Sequence, residues 1–128
     1  MRLLLDTCIV IEAADVDGWR RLPAELLKDE ANTLLFSAIS IVEMAIKTAI
    51  QKLNIPAGRV EEIVRNLGLT TIPFSAHHAM HLYGLPLYHK EPFDRMLIAV
   101  ALAEKVPTVT SDRELLKYSN VGLEVISA

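Results

Sequence analysis

One cysteine, one tryptophan, five glycines and no apolar run of bilayer length: this 128-residue sequence is defined first by what it has little of. A single thiol, Cys8, cannot close an internal disulfide, which argues against a disulfide-stapled secreted module and fits a reducing compartment. Cys8 itself reads as a small buried hydrophobe. The longest apolar stretches, such as Met96 to Ala103, stop well short of the roughly 18–20 residues that cross a bilayer. Arg2 stands before Leu3 to Leu5 and Asp6 follows at once, which leaves no room for the apolar core and cleavage site of a secretion signal. A cytoplasmic protein without a membrane span is therefore expected. A basic excess is also missing. The formal charge of −3 argues against broad charge-driven binding to nucleic acid, but a local cluster of acids that binds cations remains compatible with it.

What is present suits a globular domain. Hydrophobic residues make up 52% of the chain and charged residues 23%, enough apolar surface for a core and too mixed in charge for disorder. The length matches one domain, so residues 1–128 are read as a single unit, with no internal repeat or low-complexity linker.

Short apolar runs at Arg2–Leu5 and Thr33–Ser37 predict buried strands, and Thr70–Pro73, Pro107–Thr110 and an edge segment Leu123–Ile126 predict three more. The spacing of Val42, Ile46, Ala49, Ile50 and Leu53 predicts a helix over Ile41–Leu53 with that face buried. Proline at its first turn and Lys105 at its end frame a second helix over Pro92–Lys105, apolar nearly all round and hence central. Shorter helices are expected at Arg59–Asn66 and Ser75–Tyr83, stopped by Gly68 and by Gly84–Pro86. Strands alternating with helices imply an α/β fold with a mainly parallel sheet. The site of such a fold lies beyond the carboxyl ends of its strands.

Three acids fall at that edge. Asp6 follows the first strand, Glu43 lies in the first helical turn after the second, and Asp112 follows Pro107–Thr110. Asp94, in the first turn of the apolar helix, joins them if that turn packs against the strand ends. Each acid also has a structural reading. Ser40 and Glu43 have the spacing of a capping box, Glu43 and Lys47 that of a helical ion pair, and Ser111 and Glu114 that of a second box. Asp6 suits an N-cap and Asp94 a helix dipole. Together they are harder to explain structurally, because like charges repel by roughly 4 kcal/mol per pair at ~4 Å and an effective dielectric of ~20. A cation removes that repulsion, and hard oxygen donors suit magnesium or manganese better than zinc.

The segments LLLDT (Leu3–Thr7), SAISIVE (Ser37–Glu43), PFDRMLIA (Pro92–Ala99) and VTSD (Val109–Asp112) resemble, in order, the signatures of PIN-domain nucleases. They are most similar to the VapC-type toxins of toxin–antitoxin pairs, and the Pro-Phe-Asp-Arg block is the most specific piece. The resemblance implies a PIN-like three-layer α/β/α domain with a short, mainly parallel sheet. It implies a metal-dependent endoribonuclease in which Asp6 and Asp94 ligate magnesium or manganese. Glu43 and Asp112 would complete the pocket directly or through water, with Thr110 as a polar neighbour. A cognate antitoxin and a homodimer are the implied partners. A housekeeping PIN nuclease of RNA processing and a PIN-like module that only binds RNA or protein are the alternatives. Phosphatases and phosphoacceptor receiver domains fit poorly, since Cys8 stands where the former want a second aspartate and Thr110–Ser111 where the latter want a lysine.

Other polar residues are read more plainly. His77, His78 and His81 lack the glutamate and third ligand of a zinc helix and are expected to be structural. His89 and Lys90 either contact phosphate or belong to a solvated loop. Arg95 points about 100° away from Asp94 on a helix and is expected to pair with an acid elsewhere. Lys47, Lys52, Arg113 and Lys117 are candidates to edge an RNA groove. Tyr88 is a candidate stacking platform, and Trp19 a core or interface residue.

Overall fold

The computed structural model describes residues 1–14 and 24–128; Trp19 lies outside the described residues. Five strands, β1 (Arg2–Leu5), β2 (Thr33–Ser37), β3 (Thr70–Ile72), β4 (Thr108–Thr110) and β5 (Val125–Ser127), form one sheet in the order β3-β2-β1-β4-β5. Every pairing is parallel, with Leu4 opposite both Leu35 and Thr108. The chain winds outward from β1 through β2 to β3, then returns to the other side of β1 for β4 and β5. The direction of winding therefore reverses between β1 and β4.

Alternation along the strands splits the core in two. Leu3, Leu5, Phe36 and Val109 are buried against Ile9, Val10 and Ala13 of α1 (Thr7–Ala14), Leu27 of α2 (Ala24–Lys28) and Ile63 of α4 (Ala57–Leu67). Leu4 and Leu35 face the other way. They meet Leu97, Ile98, Val100 and Ala101 of α6 (Pro92–Glu104) and Leu115 and Tyr118 of the 3-10 helix Arg113–Val121. Helices on both faces give the three-layer α/β/α arrangement expected from a both-sides-buried parallel sheet. Among the described residues, no helix is long and apolar enough to cross a membrane.

Helix α3 (Ala38–Ala49) departs from the sequence reading. It begins three residues earlier than expected because Ser37, the last residue of β2, caps it: its Oγ accepts from the amide of Ile39 at 3.1 Å. The buried face carries Ile39, Ser40, Glu43 and Met44. Val42, Ile46 and Ile50, expected in the core, are 44%, 45% and 56% exposed, Ala49 is exposed as well, and Leu53 is only partly buried. Apolar periodicity correctly groups these side chains on one face, yet nothing within the described residues covers it.

The remaining helices lie close to their expected spans. Gly68, in the left-handed region at φ 63°, closes α4. The five-residue α5 (Ala76–Met80) is shorter than expected and continues only as turns towards Gly84. Pro92 opens α6 at its first turn and Lys105 caps its end.

Candidate active site

Adjacent β1 and β4 deliver Asp6 and Asp112 from their carboxyl ends to the point where the winding reverses, the usual crevice of open parallel sheets. Helix α3 leaves the end of β2 with Glu43 in its second turn. Since α6 leads back to the start of β4, its own first turn, which carries Asp94, returns to the same edge. Spacing alone did not establish that last placement; the crossover does.

Asp6 is 5% exposed and fully engaged. Its Oδ1 accepts from the amide of Thr7 at 2.8 Å, and its Oδ2 from the Thr110 hydroxyl at 2.6 Å and, at 3.4 Å, from the Cys8 thiol. Thr110 thus fixes the rotamer of Asp6, and its own Oγ1 accepts from the amide of Asp112 at 3.0 Å. Burial pushes the Asp6 carboxyl above its usual range; the hydrogen bonds oppose this and the charge of Glu43 adds to it. Cys8 is half-buried rather than a core hydrophobe, because its Sγ also lies 3.4 Å from Ser111 Oγ. Its thiol is held above its ordinary range by burial and then by Asp6.

Glu43 is 6% exposed. Its Oε2 accepts from Lys47, the expected i,i+4 pair, whereas its Oε1 is buried with no hydrogen-bond partner among the described residues. The expected capping box with Ser40 does not form. Ser40 lies inside the helix and is fully buried, with its Oγ 2.8 Å from Thr7 Oγ1.

Asp94 lies under different constraints. Burial, reinforced by Asp6 and Glu91 and opposed by His89, raises its carboxyl to about 6. Glu91, which the sequence reading passed over, caps α6 by accepting from the amide of Asp94 at 2.7 Å. The Glu-Pro pair opening an apolar helix was its only visible signal. His89 Nε2 lies 2.6 Å from Asp94 Oδ2 and 3.5 Å from Asp112 Oδ2. Asp112 spends its Oδ1 capping the 3-10 helix, accepting from the amide of Glu114 at 2.9 Å, and keeps Oδ2 for the pocket.

The tightest set of ligating groups among the described residues is therefore His89, Asp94 and Asp112, whose ligand atoms all lie within 4.8 Å of one another. Asp6 acts on Asp94 through its charge and Glu43 on Asp6, and neither closes into the same set. Converging carboxylates with raised affinity for protons, beside a buried carboxylate oxygen that no donor satisfies, fit a divalent cation with oxygen ligands.

Residues 3–121 match the family described as PIN domain. The chain belongs to the PIN-domain family. A search of curated protein sequences finds no match. Among solved structures, this PIN domain is similar in fold to the VapBC2 complex from Rickettsia felis bound to promoter DNA, with a TM-score of 0.71, 19% identity, and coverage of 100% of this chain and 99% of that one. It is also similar to VapBC-5 from Mycobacterium tuberculosis, a toxin–antitoxin family member, with a TM-score of 0.67, 15% identity and coverage of 99% and 98%. The DNA-bound VapBC from Salmonella typhimurium gives a TM-score of 0.65 at 18% identity, covering 99% and 98%.

Other polar residues of the PIN domain have structural duties. His78 is buried; its Nδ1 accepts from the amide of Ser75, so Nε2 donates to Glu104 at 2.7 Å. His77 and His81 pack edge to face on the surface. Among the described residues Arg95 meets no acid. Its guanidinium donates to the carbonyls of Leu85, Pro86 and His89 at 2.9–3.2 Å, its several N–H groups spread over three acceptors. Lys117 pairs with Glu114, while Lys52, Lys90 and Arg113 are exposed. Tyr88 packs on Tyr118 with 5.1 Å between ring centroids and leaves 43% of its surface exposed.

Proposed function

We propose that this PIN-domain protein is a metal-dependent endoribonuclease of the VapC type, the toxin of a toxin–antitoxin pair. The observation that carries the reading is the buried Glu43 Oε1, without a partner among the described residues, whose charge acts on Asp6; the carboxyls of Asp6 and Asp94 are both held above their usual range. An apolar enzyme core gains nothing from such crowding unless a ligand offsets it. Asp6, Asp94, Asp112 and Glu43 are the residues that hold magnesium or manganese in this reading.

A divalent cation bound there supplies Lewis-acid polarisation of a phosphodiester and a more acidic water. The chain supplies orientation and proton handling. Thr110 and the Thr7 amide keep both Asp6 oxygens in place. Glu43 and Asp112 each commit one carboxylate oxygen, to Lys47 and to the amide of Glu114, and each keeps the other to orient a water or take its proton. Lys47, paired with Glu43 and within reach of Glu91 and Asp94, stands at the pocket with its charge available to a phosphate.

The partners follow from the same reading. The similar solved structures are toxin–antitoxin complexes, which supports a cognate antitoxin as the inhibitor. The apolar face of Val42, Ile46 and Ile50 on α3 supports a homodimer, since a two-fold interface needs one self-complementary patch. Incubating the purified chain with RNA in magnesium or manganese, and in chelator, tests the function. Internal cleavage that needs the metal is expected. A folded chain that binds RNA and leaves it intact with either ion would be a binding module instead.

A further inference from the structure

The loop before α6 is built around His89. Its amide donates to Tyr118 Oη at 2.8 Å, and its carbonyl accepts from Arg95 at 3.2 Å. Tyr118 is fully buried and donates its own hydroxyl to the Pro86 carbonyl at 2.9 Å, while Arg95 holds Leu85 and Pro86 from the other side. Both ends of the His89 backbone are thus clamped by side chains from α6 and the 3-10 helix. A solvated loop has no need of such a mount. It resembles the locked support that a positioned ligand requires.

The imidazole is turned inward. Nε2 faces two carboxylate oxygens, at 2.6 Å and 3.5 Å, so an anionic phosphate approaching that nitrogen would meet the charges of Asp94 and Asp112. A cation would not. Neighbouring ligands on an octahedral ion with bonds of ~2.1 Å stand about 3 Å apart, and the two observed separations bracket that value. Glu43, whose charge acts on Asp6 as that of Asp6 acts on Asp94, carries a buried oxygen that no donor among the described residues satisfies, an independent sign that a positive partner belongs beside these carboxylates.

We propose that His89 Nε2 is a direct metal ligand with Asp94 and Asp112, making this a mixed nitrogen and oxygen site that favours transition-metal ions over magnesium. The proposal rests on the metal-dependent reading of the acidic pocket and adds a ligand to it. Imidazole contributes little to a hard, strongly hydrated magnesium ion and more to ions of the first transition series, so the nitrogen sets selectivity.

Manganese itself is the probe. Electron spin-echo spectroscopy of manganese bound to the full chain should show nitrogen coupling, and His89→Gln, which retains an oxygen donor, should abolish it. Calorimetry should find manganese binding to His89→Gln weakened at least about tenfold, with magnesium binding changed about twofold or less. Stoichiometric manganese binding to wild type without nitrogen coupling overturns the assignment of His89 and leaves the acidic site standing. Nitrogen coupling that survives in His89→Gln does the same, since another histidine would then be its source. Absence of manganese binding to folded wild type, or equal binding by Asp94→Asn, overturns the metal site itself and His89 with it. The wild-type spectrum decides the matter even if the variant folds poorly.

Discussion

Replacing Asp94 by asparagine should make the metal-free protein more stable, although the residue belongs to the proposed site. The carboxyl of Asp94 is raised from 3.8 to about 6, chiefly by burial and then by Asp6 and Glu91. Raising the carboxyl to about 6 corresponds to roughly 3 kcal/mol between the two protonation states. The side chain is 19% exposed, so solvent screening leaves most of this in place. The sign follows from linkage: between pH 4 and 6 the folded chain binds a proton at Asp94 that the unfolded chain has released, so stability falls as pH rises through this window. Below it, neutral Asp94 and asparagine are equivalent. Above it, Asp94→Asn in chelator should exceed wild type by up to about 3 kcal/mol, or roughly 10 °C in melting temperature for a chain of this size. Thermal melting of both proteins in chelator, from pH 4 to 7.5, reads the difference directly. Saturating manganese should remove the advantage of the variant, because only wild type gains stability by binding the ion. A variant less stable than wild type at pH 7.5 in chelator, or a difference independent of pH, would refute the assignment of charge crowding at Asp94.

Four further outcomes follow from named residues. Ser37→Ala should lower stability by about 0.5–2 kcal/mol through loss of the α3 cap, and Glu43→Gln should keep the helix while losing most RNA turnover; a fully active Glu43→Gln would remove Glu43 from the chemistry. Arg95→Lys should weaken the clamp on residues 85–89, because one ammonium cannot span three carbonyls, and amide exchange in that loop should accelerate relative to α6; unchanged protection would show the clamp to be idle. Ile46→Asp, on the exposed face of α3, should convert a dimer into a folded monomer in light scattering, and an unchanged mass would place the dimer contact elsewhere.

The strands were legible because both faces of a parallel sheet are buried, which writes continuous apolar runs such as Leu3 to Leu5 and Leu34 to Phe36. The acids were legible because strand ends and helix starts follow from those runs, and Thr110, the last residue of β4, because it matches a polar position of the family-like segment Val109–Asp112. Long-range pairings left no such mark. Ser37, and not Ser40, caps α3, and this choice depends on where β2 ends; the resulting shift turns Ser40 towards Thr7 and the stripe of Val42 towards solvent. The mount of His89 joins residues from three parts of the chain, so neither Tyr118 nor Arg95 carries a local signal of its role. Glu91 is hidden for a different reason: its charge matters because it caps the turn that carries the half-buried Asp94 and raises that carboxyl.

Turnover of RNA by wild type, Asp6→Asn and Asp94→Asn, compared in magnesium, manganese and chelator after each variant is shown to be folded, tests the proposed nuclease most directly. Wild type should cleave internally only with the metal, and both variants should lose that cleavage while melting no earlier than wild type in chelator. Cleavage that persists in chelator, or a folded Asp94→Asn that retains near-wild-type turnover, would contradict a metal-dependent site built on these acids.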